Sequence, residues 1–212
     1  MDLEKITPEQ IVEIYKLKGY KLFEDDSKDM NLNLIGIRCV NEITDLWDDI
    51  LCDLWKFNGE WNLKIRKGTT KPGKYVFNHL PVVAGVKGTF LLKEGQYPSM
   101  WSFKEKGHFN HDALMQKSLD ITGYRITEMK YDLSTAPEQN GKEVGIDFGI
   151  DNHSVWNAPL DYIFPVVGNW GEGCQVTAKQ NDHQEHLERV KIAIENWGNS
   201  FAYTLLNITD FN

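Results

Sequence analysis

Cys174 and His153 are the residues of this chain best suited to covalent catalysis. Cys174 follows the segment Gly171-Glu172-Gly173, and His153 lies earlier in the chain, directly before Ser154. A thiolate is a strong nucleophile, and a histidine can take up the thiol proton and later give it to a leaving group. The two residues therefore predict nucleophilic catalysis by cysteine.

The neighbours of this pair supply further parts of such a site. Gly173 allows a sharp turn that can aim backbone N–H groups at a developing oxyanion. The backbone carbonyl of Ser154 can hold the imidazole of His153 through its second nitrogen. We therefore assign catalytic roles to Cys174, His153, Gly173 and Ser154.

Secondary structure on both sides must position the pair. Residues 143–151 alternate apolar residues with small or acidic ones, which predicts a half-buried strand that ends just before His153. After Cys174, apolar residues at helical spacing predict a helix that opens near Asp182 and ends at Gly198. Residues 200–208 then predict a closing strand.

The N-terminal region begins with a helix signal. Thr7-Pro8-Glu9-Gln10 has the pattern of a capping box with proline at the first helical position, and Gly19 is placed to end the helix. We predict one domain over residues 1–212. Residues 1–33 form the N-terminal helix and a loop, and residues 34–212 form a β-rich catalytic core, an α+β organisation with a helix near each end of the chain.

The clearest hairpin is centred on Asn58-Gly59, the strongest two-residue turn signal. This turn joins residues 51–57 to residues 61–65, in which apolar and polar side chains alternate. Further extended segments are predicted at 34–40, 75–83, 86–93 and 123–131.

Composition restricts the class of protein. A hydrophobic content of 41% is that of a folded globular chain, and a net charge of −8 speaks against a nucleic-acid or anionic-membrane partner. No apolar run approaches the length that crosses a bilayer, and residues 1–5 lack the layout of a secretion signal. We therefore expect synthesis in the cytoplasm.

The three cysteines do not form a disulfide or metal pattern, because their number is odd and their spacing wide. Cys39 and Cys52 lie within apolar segments and are predicted to be buried as small hydrophobic residues. Cys174 differs from them because glycines and a carboxylate surround it.

Four histidines raise the possibility of a metal site. His108 and His111, like His183 and His186, have a usable ligand spacing, but neither pair belongs to a recognisable zinc motif. His183 and His186 are expected on the solvated side of their helix, whereas His108 and His111 could border a cleft. His79 is expected to be structural. We predict no metal and no cofactor.

The motifs around the pair resemble the catalytic domain of L,D-transpeptidases. That family carries a histidine followed by Gly or Ser, and farther along the chain Ser-His-Gly-Cys; His153-Ser154 and Gly173-Cys174 match these positions. The segment 170–176 is also similar to a Trp-x-x-Gly-Cys-Gln-Val variant in uncharacterised proteins of gut bacteria and their phages. The resemblance is specific over residues 144–176 and loose over 75–210.

The resemblance implies a mixed β-sandwich in which cysteine and histidine face a cleft for peptidoglycan stem peptides. Cys174 would attack a carbonyl, and an amine or water would resolve the thioacyl-enzyme, as in a transpeptidase or a phage-type lytic peptidase. Since no secretion signal is expected, the resemblance implies that such an enzyme is released to the cell wall during lysis or carried in a virion. Trp156, Trp170 and Glu172 are then expected to contact the substrate.

Two departures from the family pattern support an alternative. Glu172 stands where the family has histidine, and Val176 where it usually has arginine, so positive charge that would favour a thiolate is lost. The alternative is a non-catalytic phage structural or cell-wall-binding protein that retains the fold.

Overall fold

The computed structural model describes residues 6–212, which form thirteen strands and three helices. The strands are β1 (Asn33–Arg38), β2 (Asp49–Phe57), β3 (Glu60–Thr69), β4 (Val82–Val83), β5 (Val86–Lys87), β6 (Thr89–Leu92), β7 (Gly95–His108), β8 (His111–Gln116), β9 (Thr122–Ile126), β10 (Glu138–Asn140), β11 (Asn152–Ser154), β12 (Gln175–Thr177) and β13 (Phe201–Asn207). The helices are α1 (Pro8–Lys18), α2 (Gly141–Val144) and α3 (Gln180–Trp197), and two 3-10 turns span Lys74–Asn78 and Ile208–Phe211.

Eight of the strands close into a mixed barrel in the order β1-β13-β7-β8-β11-β12-β3-β2. The closing contact is the pairing of β1 with β2 on one side and, in parallel, with β13 on the other. The expected α+β β-sandwich of transpeptidase type is therefore wrong. A sandwich leaves two sheets with open edges, whereas each barrel strand here has a neighbour on both sides.

Elements with strong local signals are where the sequence predicts them. Thr7 caps α1 in a full capping box, and Gly19 ends the helix with a φ of 67°. The hairpin at Asn58-Gly59 is formed by β2 and β3, and strands β1 and β13 match the predicted strands at 34–40 and 200–208. The helix after Cys174 is α3, which ends at Gly198.

The predicted strand at 143–151 is wrong. Residues 141–144 form the short helix α2, and the Asn140 side chain accepts hydrogen bonds from its first N–H groups. Gly145 and Gly149 both have a φ of 67°, which turns the chain out of any regular strand. The extended segment at 75–83 is largely replaced by a 3-10 turn, whereas those at 86–93 and 123–131 are confirmed in part as β5, β6 and β9.

The helix α3 packs His183 and His186 against the barrel, so the expectation that they face solvent is wrong. Their exposed fractions are 3% and 0%. His186 Nδ1 lies 2.9 Å from a carboxylate oxygen of Asp53 in β2, which also binds Arg66 and Arg189. A polar partner hidden in a distant strand is what allows the histidine to be buried.

The remaining expectations for the chain have mixed outcomes. Cys52 is fully buried, as predicted, whereas Cys39 is only partly buried; all three cysteines are free. Within residues 6–212 no helix combines the length and the apolar character needed to cross a membrane. The expectation about a secretion signal concerns residues 1–5, which lie outside the described residues.

Two buried aromatic side chains tie the barrel interior to the segments that carry the candidate pair. Trp101 Nε1 donates to the carbonyl of Ile150 at 2.7 Å, and the Tyr203 hydroxyl donates to Gln175 Oε1 at 2.6 Å. Both ring systems are buried, with 0% and 1% of their surface exposed. The interior therefore holds the main chain of Ile150, three residues before His153, and the side chain of Gln175, directly after Cys174.

Gly36 in β1 makes this arrangement possible, and its replacement by alanine is expected to destabilise the protein. A Cβ atom at Gly36 would lie 1.9 Å from the Tyr203 hydroxyl oxygen. The buried ring would have to move and would lose its bond to Gln175, at a cost of about 1–3 kcal/mol for overpacking. Urea denaturation of Gly36→Ala measures this cost, and an unchanged midpoint would contradict the packing described.

Candidate active site around Cys174 and His153

Two short parallel strands bring the predicted pair together. In β11 and β12, His153 is opposite Val176, and the N–H of Gln175 donates to the Asp151 carbonyl at 2.9 Å. Cys174 directly precedes β12, so this register sets it beside Asp151 and His153.

The sulfur of Cys174 lies close to two imidazole rings. One nitrogen of His153, one nitrogen of His108 and the Cys174 Sγ all lie within 4.8 Å of one another. The thiol donates a weak hydrogen bond to the Gly149 carbonyl at 3.3 Å. A change of side-chain rotamer can therefore bring the sulfur to hydrogen-bonding distance of an imidazole.

The ring of His153 is held in one tautomer. Its Nδ1 lies 3.0 Å from the Ser154 carbonyl, and a carbonyl only accepts, so Nδ1 carries the proton and Nε2 is left as a base. The Ser154 hydroxyl donates to the Val155 carbonyl instead of pointing to Cys174. The backbone carbonyl of Ser154 therefore lies where the sequence predicts the group that orients His153.

The second imidazole, that of His108, was not assigned to the catalytic pair from the sequence. It stacks on His153 with ring centroids 4.0 Å apart and planes 14° from parallel. Its Nδ1 donates to Asp151 Oδ2 at 2.9 Å, and Asp151 Oδ1 accepts from the Gln116 N–H at 2.8 Å. His108 and Asp151 therefore form a second layer of the site.

Two signals could have indicated these residues. Asp151 precedes His153 by two positions, which in extended backbone places a carboxylate on the same side as the histidine. His108 lies at the tip of the β7–β8 hairpin, where Phe109 and Asn110 have positive φ values and turn the chain back over the site.

Burial controls the charges of the pair. Burial, together with the nearby His108, lowers the pKa of His153 to about 3. Burial raises the pKa of the Cys174 thiol to about 12, and the negative charges of Asp151 and Glu172 act in the same direction. At neutral pH the resting site therefore contains a thiol and a neutral imidazole and no thiolate–imidazolium pair. The imidazole is free to accept a proton, but its low pKa makes it a weak base in this resting state.

The backbone conformation and the close packing directly before Cys174 require a glycine, which is Gly173. Its φ is 125°, and a Cβ atom there would lie 2.6 Å from the Phe90 carbonyl oxygen. Among the residues that the structure describes, the N–H groups of Gly173 and Cys174 donate to no other protein group. They are the two groups that we expect an oxyanion to contact.

The two tryptophans expected to contact substrate lie beside the pair. Trp156 lies 5.6 Å from the ring of His153 and packs edge-to-face on Trp170, with centroids 4.8 Å apart. Trp156 also stacks on His111. Both indoles are partly exposed, so their free surface is available to a ligand.

A cleft of about 430 Å³ opens next to this aromatic group. Its wall includes Ser154 and Trp156, but neither Cys174 nor His153. Those two side chains have exposed fractions of only 7% and 2%. The expectation that the pair faces a cleft is therefore wrong for this cleft, because neither side chain lines it and both are buried.

Glu172 contacts a histidine at the protein surface. Its carboxylate lies 3.2 Å from His79 Nε2, and about half of each side chain is exposed. His79 is thus a surface partner of Glu172, and the structure does not bring Glu172 into hydrogen-bonding contact with His153. The free surface of Glu172 remains open to a ligand.

Replacing Glu172 with glutamine is expected to speed alkylation of Cys174. The carboxylate raises the pKa of the thiol, so its removal lowers that pKa and increases the thiolate fraction at a given pH. Because Glu172 is exposed and screened, we expect roughly a two- to fivefold gain in rate. Mass spectrometry of iodoacetamide-treated protein measures the alkylation rate of Cys174.

The control is His79→Asn, which keeps the Glu172 carboxylate and should show no gain in rate. Equal alkylation rates in Glu172→Gln and the parent would contradict the prediction.

Comparison of the chain with family models, with curated proteins and with solved structures finds no match. The resemblance to L,D-transpeptidases therefore rests on the motifs around His153 and Cys174. What those side chains can do chemically follows from their geometry, described above.

Proposed function

We propose that this chain is a cysteine enzyme that acts on peptidoglycan stem peptides through a thioacyl intermediate. The observation that carries the proposal is the approach of the Cys174 sulfur to within 4.8 Å of an imidazole nitrogen of His153. A nucleophile, a base and a group that orients the base are then present together, since the Ser154 carbonyl holds His153 Nδ1.

The reaction begins with the thiol. As Cys174 Sγ attacks a peptide carbonyl carbon, His153 Nε2 takes the thiol proton, and the carbonyl oxygen becomes an oxyanion near the Gly173 and Cys174 N–H groups. Collapse of the tetrahedral intermediate breaks the C–N bond, and the proton on His153 passes to the leaving amine. A thioacyl-enzyme remains, which an amine resolves by transfer or water by hydrolysis.

His108 and Asp151 act as positioning residues in this scheme. The Asp151 carboxylate fixes His108, and the His108 ring covers one face of His153. This stacking restricts rotation of the His153 ring and keeps Nε2 directed at one place. Neither residue needs to contact the substrate.

The charged side chains of the cleft beside the pair are compatible with a stem-peptide substrate. Its wall carries both signs, with the cations Lys106 and Lys191 and the anions Asp112 and Glu188. A stem peptide has free amino and carboxylate groups and peptide amides, so a wall of mixed charge can bind it along its length. The partly exposed Trp156 lies where the cleft approaches His153.

A second candidate function is non-catalytic binding to the cell wall. The observation that favours it is the burial of Cys174, which holds the thiol protonated at rest. In that case the cleft and the tryptophans bind peptidoglycan, and Cys174 packs in an apolar cluster with Val155 and Val176.

Digestion of purified sacculi separates the two candidates. The enzyme is expected to release or exchange stem-peptide fragments, identified by mass spectrometry, and Cys174→Ala is expected to release none. Binding of sacculi without any change in their peptides would support the second candidate. No binding and no digestion would contradict both.

A further inference from the structure

The side chains that approach Cys174 also have the composition of a transition-metal site. A thiol and two imidazoles present three ligand atoms within 4.8 Å of one another. Thiolate and imidazole are ligands preferred by zinc, whereas calcium and magnesium require oxygen ligands. We infer that His108, His153 and Cys174 form a zinc-binding site.

The partners of both imidazoles support this inference independently. A histidine that binds a metal through one nitrogen usually donates its other N–H to a carboxylate or a backbone carbonyl. His108 donates Nδ1–H to Asp151, and His153 donates Nδ1–H to the Ser154 carbonyl. Each ring is thus left with an Nε2 lone pair, and Asp151 is itself fixed by the Gln116 N–H.

Zinc binding requires a limited rearrangement. Ligand bonds of about 2.0–2.3 Å in a tetrahedral site bring ligand atoms to roughly 3.3–3.6 Å from one another. The two rings are nearly parallel, so one of them must turn its edge towards the ion. His108 is the mobile candidate, because it lies at a hairpin tip and is 13% exposed. Three protein ligands leave the fourth position for water.

Zinc and catalysis would compete for the same atoms. A zinc ion bound to the Cys174 sulfur uses the lone pair that attacks a carbonyl, and a bond to His153 Nε2 removes the base. This competition rests on the proposed function, whereas zinc binding itself does not. The binding of zinc displaces the thiol proton to solvent, and its removal by a chelator restores the thiol.

Cobalt(II) titration tests the site without any peptidoglycan. We expect one ion per chain, a near-ultraviolet charge-transfer band from sulfur to cobalt, and loss of the band on addition of zinc. Cys174→Ala should remove the band, and His108→Asn should weaken binding at least about tenfold. Asp151→Asn, which removes the charged partner of the ligand His108 and no ligand, should weaken it by about 10–100-fold.

The control is His79→Asn, which removes a histidine outside the cluster and should leave cobalt affinity unchanged. Three results of the titration would contradict a zinc site at Cys174: binding of less than one ion per chain, a bound ion without the sulfur band, or an affinity that neither His108→Asn nor Asp151→Asn changes.

Sacculus digestion tests the competition between zinc and catalysis. Added zinc should abolish turnover, and a chelator should restore it. Activity that requires zinc would contradict the inference that zinc binding and catalysis compete for the same atoms. Zinc binding by a chain without any turnover would support the site and contradict the proposed function.

Discussion

Replacement of Cys174 by alanine is expected to lower the turnover of stem peptides by at least about 10³-fold, because no thioacyl bond can form without the sulfur. The thiol is buried beside Val155 and Val176, so the change also removes some packing and costs about 1 kcal/mol of stability. Fragment release from sacculi gives the rate, and thermal denaturation gives the stability. Cys39→Ala is the matched control, since Cys39 is a free thiol outside the site.

His153→Asn is the companion variant in this experiment. The amide nitrogen of asparagine can replace Nδ1 as the donor to the Ser154 carbonyl, but nothing replaces Nε2 as the base. We expect a loss of about 10²–10⁴-fold in turnover, the range for removal of a general base. A variant that folds and keeps the rate of the parent would show that His153 transfers no proton.

Removal of the Asp53 carboxylate is expected to have the largest effect on stability. Asp53 is fully buried and lies 2.6 Å from Arg66, 2.9 Å from His186 and 2.9 Å from Arg189. Burial alone would raise the pKa of this carboxyl, but its three partners outweigh burial and hold the pKa well below its usual range. The group is therefore ionised and tightly paired in the folded protein.

Asp53→Ala leaves the buried guanidinium of Arg66 and the partly buried guanidinium of Arg189 without their anion, which costs about 3–5 kcal/mol. For a chain of this length, the melting temperature should fall by roughly 6–20 °C. The control is Asp161→Ala, because Asp161 is exposed and lies 3.9 Å from Lys179; we expect a change within about 0.5 kcal/mol. Equal melting temperatures for the two variants would contradict the role of Asp53.

Local signals predicted the elements whose causes are local. The capping box at Thr7 and the turn at Asn58-Gly59 each act over a few residues, and both are present in the structure. The barrel closes through the pairing of Leu34 with Tyr203 and its neighbours, which are far apart in the chain. No spacing in the sequence encodes that contact, so a sandwich and a barrel could not be distinguished.

The error at 143–151 has a physical origin in its glycines. Alternation of apolar residues assumes extended backbone, but Gly145 and Gly149 adopt positive φ values that break the alternation of faces. Phe148 still faces the interior, where it stacks on Phe90. Phe148 and Ile150 therefore pack in the interior, as the alternation indicates, whereas Val144 is exposed and the strand is not formed.

The sequence predicted one pair of the candidate site, Cys174 and His153, but not the second pair, His108 and Asp151. Cys174 and His153 were identified from residue type and neighbours, and β11 and β12 bring them together. His108 arrives on the long β7–β8 hairpin, whose register shifts between Lys104 and His108. Its contact with Asp151 depends on that irregularity, which periodicity cannot reveal.

Covalent trapping shows whether the Cys174 sulfur forms a thioester with a stem peptide. The protein is incubated with purified stem peptides, quenched in acid, and its intact mass and proteolytic fragments are determined by mass spectrometry. If Cys174 is the nucleophile, we expect an added mass equal to the acyl part of the peptide, on the fragment that contains Cys174, and none in Cys174→Ala. Turnover with no adduct on Cys174, or the same adduct formed equally on Cys39 and Cys52, would contradict a thioacyl intermediate on Cys174.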